Sequence, residues 1–437
     1  MSKKALMVTV GGSPDPLLTA VKELRPDRVT FCASESTKKC VDDPGKPNER
    51  RTGADVEKLP CLVKLMDLQD YVRERDLVEL EEIDDVQACY RQMAEKVREL
   101  RAEGFQEILV DYTGGTKSMA AALVCLALDE ELLLNVTTGM RTNNRAVERG
   151  QTTREVGVTD LRARRTLQVD VENAFKESNY GAAETTLRKL LRPRDLSSTL
   201  RRRVQNLMVL CEGLTIWDAF DHPRALSFID NPDFCRLGEV RIGLVEPLRR
   251  LNGVHSWLES SVAPPKGVCG YEMVDDLLNN ARRRAQAGRF DDAVGRLYRA
   301  LEMLAQFRLR VEYGVDTGSV DLKLIPESQQ ESLRAQADEK GEIVISLMRA
   351  YTLLENWPDP LVGAAFKELR KPLENALKTR NYSLFAHGYR CVSMEDYKQF
   401  SEVVEAFIDK LLAQVMGKHK RIPQLPRTIV GLFEGDG

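Results

Sequence analysis

The sequence holds four histidines in 437 residues, and none of its nine cysteines stands in a CxxC pair. A zinc site built from closely spaced Cys and His is therefore disfavoured, and so is a disulfide framework. The cysteines are scattered and odd in number, at 32, 40, 61, 89, 125, 211, 235, 269 and 391, which fits a reducing, cytoplasmic location. Excess charge of one sign is also missing. The 64 Lys and Arg nearly balance 67 Asp and Glu, so any contact with nucleic acid is local and not a property of the whole surface. No apolar stretch approaches the ~20 residues of a membrane-spanning helix, so no membrane partner is expected. The apolar run from Ala5 to Val10 follows Lys3-Lys4, but Gly11-Gly12-Ser13-Pro14 cuts it short. It reads as a first β-strand and not as the longer apolar region of a signal peptide. What remains is an ordinary globular mix, 43 % apolar and 30 % charged, long enough for two or three domains of roughly 150 residues each.

Residues 4 to about 160 alternate strand-like and helix-like patterns. Strands are predicted at 5–10, 28–33, 61–66, 107–111 and 132–138, and helices at 17–24, 84–103 and 117–129. The polar stretch 34–60, with Pro44, Gly45 and Pro47, reads as an insertion or mobile loop. Such alternation predicts a mostly parallel sheet with helices on both faces, a Rossmann-like α/β domain over 1–165. Beyond it the strand signals fade. Helices are predicted at 167–191, 196–220, 272–287, 290–311, 328–355, 362–379 and 395–415. Pro264-Pro265-Lys266-Gly267 looks like a joint dividing this all-α half into a linker, 166–270, and a C-terminal domain, 271–437. Two segments, Phe175 to Ala183 and Ala287 to Val294, each read as a tight turn, an aromatic and then small residues opening a helix, much as in tetratricopeptide-type helical pairs.

The sharpest N-terminal feature is Asp111-Tyr-Thr-Gly-Gly-Thr-Lys-Ser-Met119, which follows a strand and opens a helix. Glycines allow a tight turn, and free N–H groups at a helix start suit phosphates. Lys117 adds a mobile positive charge, and Thr113, Thr116 and Ser118 add hydroxyls. Thr116 stands where a Walker A loop requires Gly, and no GxGxxG is present, so ATP hydrolysis and a dinucleotide cofactor are disfavoured. In a doubly wound sheet, loops at the carboxyl ends of neighbouring strands share one crevice. The loop Gly11-Gly12-Ser13-Pro14 and the segment Thr137-Thr138-Gly139-Met140-Arg141 therefore join the same rim. Plain tight turns are the competing reading.

At the other end stands Thr379-Arg-Asn-Tyr-Ser-Leu-Phe-Ala-His-Gly388. If the segment is helical, Arg380 and His387 lie nearly two turns apart on one face, separated by roughly 10 Å along the axis. His moves protons near neutral pH, and the planar fork of Arg holds a phosphate and its developing charge. RNA can be cut this way without metal, by its own 2′-OH. Asn381 would orient either partner. Arg250 and His255 have similar spacing but lack an Asn directly after the Arg, so they read as structural; His222 precedes Pro223 and reads as a helix start. With four His and no paired His/Asp cluster, a metal-dependent nuclease is disfavoured.

Together the two motifs resemble a known architecture. Asp111 to Met119 resembles the signature loop of the CRISPR-associated Rossmann-fold sensor, the CARF domain, and Arg380-Asn-x5-His387 is similar to the HEPN ribonuclease motif of Arg, four to six residues, then His. Gly288 to Glu302 also looks like a helix of that family. The order resembles the accessory ribonucleases of type III CRISPR antiviral systems. The resemblance implies a homodimer whose sensor binds cyclic oligoadenylate and allosterically activates a composite endoribonuclease that cuts single-stranded RNA without a metal cofactor. It implies activator contacts at Gly11, Gly12, Ser13, Thr113, Gly114, Gly115, Thr116, Lys117, Ser118, Thr138, Gly139 and Arg141. His387 becomes the general acid or base, Arg380 the phosphate holder and Asn381 its support, with weaker support from Tyr298, Arg299 and Glu302. Two rivals remain: a cyclic-nucleotide-binding regulator with an inactive HEPN dimerisation domain, and a transcription regulator, for which no compact helix-turn-helix is visible. Slow cleavage of the activator by the sensor itself also stays open.

Overall fold

A computed structural model describes residues 3–52, 55–139, 141–142, 145–146, 151–231, 238–259, 264–381, 383 and 388–432. The chain forms two compact units, one of residues 1–165 with 195–197 and the other of 166–194 with 198–437.

The first unit runs β1 (Lys4–Thr9), α1 (Asp15–Leu24), β2 (Arg28–Ser34), α2 (Lys39–Asp42), β3 (Asn48–Thr52), β4 (Asp55–Leu59), α3 (Leu62–Leu65), α4 (Arg73–Asp76), β5 (Leu77–Leu80), α5 (Val86–Ala102), β6 (Glu107–Asp111), α6 (Lys117–Asp129), β7 (Leu133–Thr138), β8 (Arg141–Thr142), β9 (Arg145–Ala146) and β10 (Thr152–Glu155). Six strands form one sheet in the order β10-β7-β6-β1-β2-β5, parallel except for β10 at the edge. β1 sits inside it, paired on both sides, and Ala5 to Val8 are all buried. Its alternate residues enter different cores, Ala5 and Met7 with α5 and α6, and Leu6 and Val8 with α1 and α3. A strand covered on both faces must be apolar at every position, which is why this run lacks alternation.

Two expectations fail here. Residues 61–66 form no strand; 62–65 are helix α3, with Cys61 and Leu62 buried and Lys64 exposed. The edge of the sheet is instead β5, whose four residues carry only one fully buried side chain and gave little signal. The polar stretch 34–60 is not featureless either, because it contains α2 and the antiparallel hairpin β3–β4.

The second unit is all helical: α7 (Thr159–Thr166) leads into it through a π-turn at Leu167–Val171, then α8 (Glu172–Lys176), α9 (Tyr180–Leu190), α10 (Ser198–Asp218), α11 (His222–Ile229), α12 (Gly238–Glu259), α13 (Glu272–Gln286), α14 (Phe290–Tyr313), α15 (Glu327–Arg334), α16 (Leu347–Asn356), α17 (Val362–Asn381) and α18 (Met394–Val415). α14 is its axis, burying Leu297, Leu301, Leu304 and Phe307 against α13, α16, α17 and α18. The expected helix over 328–355 is broken. Between α15 and α16 the Asp338 carboxylate caps the N–H groups of Lys340 and Glu342, and Gly341 takes φ +83°. A residue held in that left-handed region ends a right-handed helix. The two similar segments do form equivalent hairpins: α8 turns into α9 through Ser178 at φ 55°, and α13 into α14 through Gly288 at φ 71°. No helix among the described residues is long and apolar enough to cross a membrane.

Candidate functional site

Two separate groups of residues can hold ligands, one in each unit. In the first, β1 and β6 are parallel neighbours with Val8 opposite Asp111, so the loops that leave them meet at the carboxyl edge of the sheet. They meet at backbone distance. A Cβ on Gly114 would lie 2.2 Å from the Thr9 carbonyl oxygen, and one on Gly11 would lie 2.8 Å from the Gly115 amide nitrogen. Gly115 also takes φ +78°. The buried Thr9 hydroxyl clamps the pair by donating to the Gly114 carbonyl at 2.7 Å. These glycines are needed for packing the two loops, whatever else they touch.

The hydroxyls divide into two sets. Thr116 caps α6 by accepting from Met119 N–H at 3.2 Å, and it donates to the Ile83 carbonyl at 2.8 Å. Ser118 donates to the Asp84 carbonyl at 3.0 Å. Both tie the loop to 83–84, and Thr113 accepts from Thr137 N–H at 2.7 Å to tie it to β7. Exposed on the rim are Gly12, Ser13, Gly115, Lys117 and Thr138, with Gly139 half-buried. Lys117 forms no ion pair among the described residues, and the first turn of α6 carries no acidic residue. The positive end of that helix, with Lys117 beside it, is therefore free for an anion. The backbone of Arg141 lies in β8; its side chain and Met140 lie outside the described residues.

Two features escaped the sequence reading. Buried Asp111 accepts from Thr113 N–H and from the Thr137 hydroxyl, both at 2.9 Å, and so fixes the spacing of the β6 and β7 loops. Burial raises its carboxyl above the ordinary value, and hydrogen bonds from Thr113 and Thr137 pull it back. Its place at the end of β6, three residues before Gly114, was the available signal. Arg50 of the β3–β4 hairpin binds Asp15 through Nε at 2.9 Å and Nη2 at 2.6 Å, which pins that hairpin beside the Gly11–Pro14 loop. Nothing local in sequence announces a pair 35 residues apart.

In the second unit, α17 delivers Arg380 in its last turn, where the negative end of the helix favours a cation. Its guanidinium lies over the Tyr298 ring on α14, 4.2 Å from the centroid, and Nη1 donates to Asn381 Oδ1 at 3.4 Å. Arg299 pairs with Glu302 at 2.6 Å along α14, so of the three expected supporters only Tyr298 is seen to touch Arg380. The premise that Arg380 and His387 share one helix is overturned. α17 ends at Asn381: Ser383 N–H closes back on the Arg380 carbonyl at 3.0 Å, and Ser383 then pairs with Arg390 in a β-bridge. His387 itself lies outside the described residues.

Elsewhere, His222 does open α11, fully buried. Nε2 lies 2.9 Å from Asp276 Oδ2 and Nδ1 lies 3.0 Å from His255 Nε2, an interior network that matches the structural reading of both histidines. One group of possible metal ligands occurs among the described residues: Cys269, Glu272 and His419, with donor atoms within 4.8 Å of one another. Burial, then Glu272, pushes the Cys269 thiol up to about 12.

Residues 267–411 match the family model of the Csm6 HEPN domain. The fold is similar to that of Enterococcus italicus Csm6 bound to cyclic hexa-2′-fluoro-hexa-dAMP, over 94 % of both chains, with a TM-score of 0.54 and 13 % sequence identity. At that identity the likeness carries the fold alone. No curated protein matches the chain. The resemblance drawn from the two motifs is borne out, and so is the expected fold class, a mostly parallel α/β unit followed by an all-helical half with the HEPN domain.

Proposed function

We propose that this chain is a cytoplasmic, cyclic oligoadenylate-activated endoribonuclease of type III CRISPR defence, with its sensor at 1–165, a linker at 166–270 and a HEPN nuclease at 271–437. The observation that carries the reading is Arg380, held on Tyr298 at the end of α17 with Asn381 beside it, inside the segment that matches the Csm6 HEPN model. The free α6 N-terminus with Lys117, flanked by Gly12, Ser13, Gly115 and Thr138, supports the sensor assignment.

In this reading the activator's phosphates meet Lys117 and the loop amides of Gly11, Gly12, Gly114 and Gly115. Ser13, Thr138, Gly139 and Arg141 complete the rim, while Thr113, Thr116 and Ser118 position the loop and offer their remaining lone pairs. In the nuclease, His387 takes the proton from the RNA 2′-OH as its oxygen bonds to phosphorus, or supplies one to the departing 5′-oxygen as that bond breaks. Arg380 holds the phosphate and the charge gathering on its oxygens. The products are a 2′,3′-cyclic phosphate and a 5′-OH end, and the balance requires no metal. Two chains acting as a homodimer would join two such sets into one site, which activator binding reshapes.

The test is cleavage of a fluorescent single-stranded RNA in EDTA, without activator and with cyclic tetra- or hexa-adenylate, on wild type and His387→Ala. Stimulation by one ring in wild type alone is the expected result. If neither ring stimulates and His387→Ala matches wild type, the protein is a regulator with an inactive HEPN domain. Inhibition by EDTA that a divalent metal reverses would count against 2′-OH attack without metal.

A further inference from the structure

The turns of the two equivalent helical hairpins of the second unit have no part in the proposed function, yet they converge on one cavity of about 440 Å³. The α8–α9 turn contributes Ser178 and Asn179; the end of α13 contributes Arg283, Arg284 and Gln286, and the turn after it Arg289. The volume falls within the roughly 300–1,000 Å³ of small-molecule sites.

Its charges do not balance. Arg283 is 1 % exposed; Nε donates to Asp218 Oδ1 at 2.8 Å and Nη1 donates to Gln424, but Nη2 is buried without a partner. Arg284 shares Asp218 through Nη2, while its Nε makes no hydrogen bond and stands 3.5 Å from Asp292. Asp292 also receives Arg289 at 2.8 Å and Arg296 at 3.0 Å. Four guanidiniums thus divide two carboxylates, and the remaining acid at the mouth, Glu177, is exposed to water. Burial lowers the Arg296 guanidinium from its ordinary value; Asp292 and, less, Asp218 pull it back, while the neighbouring Arg284 and Arg289 charges push it further down. Arg283, Arg284 and Arg289 all line the cavity, and an anion bound there would offset their excess charge.

We propose that this cavity is a phosphoryl-binding site in which Arg283, Arg284 and Arg289 grip the oxygens. Guanidinium forks match phosphate geometry, and α9 opens at the cavity's edge behind its cap, Asn179, with the positive end of an eleven-residue helix. The cavity is larger than one phosphate, so it admits a nucleotide carrying it. That nucleotide is either a free one with a terminal phosphate or a unit of an RNA chain.

The test uses the full chain bearing Lys117→Ala and Arg380→Ala, which removes the side-chain cation from each of the other two places assigned to phosphates. Calorimetric titrations with inorganic phosphate, 5′-AMP and the dinucleotide ApA, which lacks a terminal phosphate, separate the sources. One saturable site per chain is expected. Arg289→Ala or Gln286→Glu, each added in turn, should weaken it roughly tenfold or more, because each affects a charge-assisted contact. Both side chains are exposed, so the melting temperature without ligand should not move. Binding of ApA identifies an RNA backbone; binding of AMP or phosphate alone identifies a terminal phosphate. No saturable binding of any of the three, or unchanged affinity in both variants, overturns the proposal.

Discussion

Replacing Gly114 with alanine tests the sensor loop without touching any charge. The new Cβ would fall 2.2 Å from the Thr9 carbonyl oxygen and 3.1 Å from Gly11 N, where Cβ contacts under 3.0 Å do not occur. Both neighbours are backbone, and Thr9 belongs to a strand paired on both sides, so the β6 loop must move and not β1. The displacement strains the Thr9 hydroxyl bond to the Gly114 carbonyl, now 2.7 Å. Overpacking of this kind costs about 1–3 kcal/mol. At roughly 2–4 °C per kcal/mol for a unit of this size, the sensor's melting temperature should fall by about 2–12 °C. The same energy, spent when the activator holds the loop closed, weakens binding by about 5–150-fold. Gly12→Ala is the matched control, because a Cβ there meets nothing within 4 Å. Scanning fluorimetry reads the first effect without ligand, and titration with cyclic oligoadenylate reads the second. If Gly114→Ala and Gly12→Ala melt alike, the close approach of the two loops is wrong. If they differ in melting but not in activator affinity, the loop is structural and the sensor reading fails.

Tyr298→Leu removes the ring beneath Arg380 and keeps an apolar side chain at that position of α14; a cation–π contact of about 0.5–2 kcal/mol predicts RNA cleavage slower by about 2–30-fold, and unchanged rates would dissociate Tyr298 from the site. His255 predicts an acid-side loss of stability. Burial, then the neighbouring His222, lowers its folded pKa below the unfolded value of 6.5, against the opposing pull of Glu259 and Asp221. The unfolded chain then binds more protons, so this contribution is complete above 6.5 and is lost as pH falls through the folded pKa. His255→Gln should flatten the melting temperature between pH 7.5 and pH 5 relative to wild type, and an equally steep wild-type and variant profile would remove His255 as the cause.

Much of the first unit was legible because its order is local. The β1 run ends at Gly11 and Gly12, the β6 run ends at Gly114 and Gly115, and a parallel sheet then places both loops on one edge. The failures share a cause. β5 is a four-residue edge strand with little to bury, and residues 61–66 are apolar at nearly every position, a pattern that helix and strand can both satisfy. Arg50–Asp15 joins a polar hairpin to a helix start across 35 residues, and no local signal encodes such a contact. In the second unit the aromatic-and-small-residue hairpins were readable from sequence, but the arginine cavity between them depends on which faces the helices present to one another.

The end of α17 changes the meaning of the Arg380–His387 spacing. On a continuous helix each added residue turns a side chain by about 100°, so gaps of four, five and six residues would point the His in three different directions. The HEPN pattern resembled here tolerates all of them. A helix that stops at Asn381, with Ser383 already closing a turn and bridging Arg390, removes that phase requirement, because the chain beyond a helix end absorbs one residue more or less. An alanine inserted between Asn381 and Tyr382 is therefore expected to slow RNA cleavage modestly, by less than about tenfold, the loss of one or two hydrogen bonds. Two further alanines in the middle of α17, at the exposed Glu374 and Asn375, control for general damage to the helix. If the single insertion abolishes cleavage as completely as His387→Ala does, while the folded state melts as before, the two residues are phased by a helix after all and the turn at Ser383 is not the active arrangement.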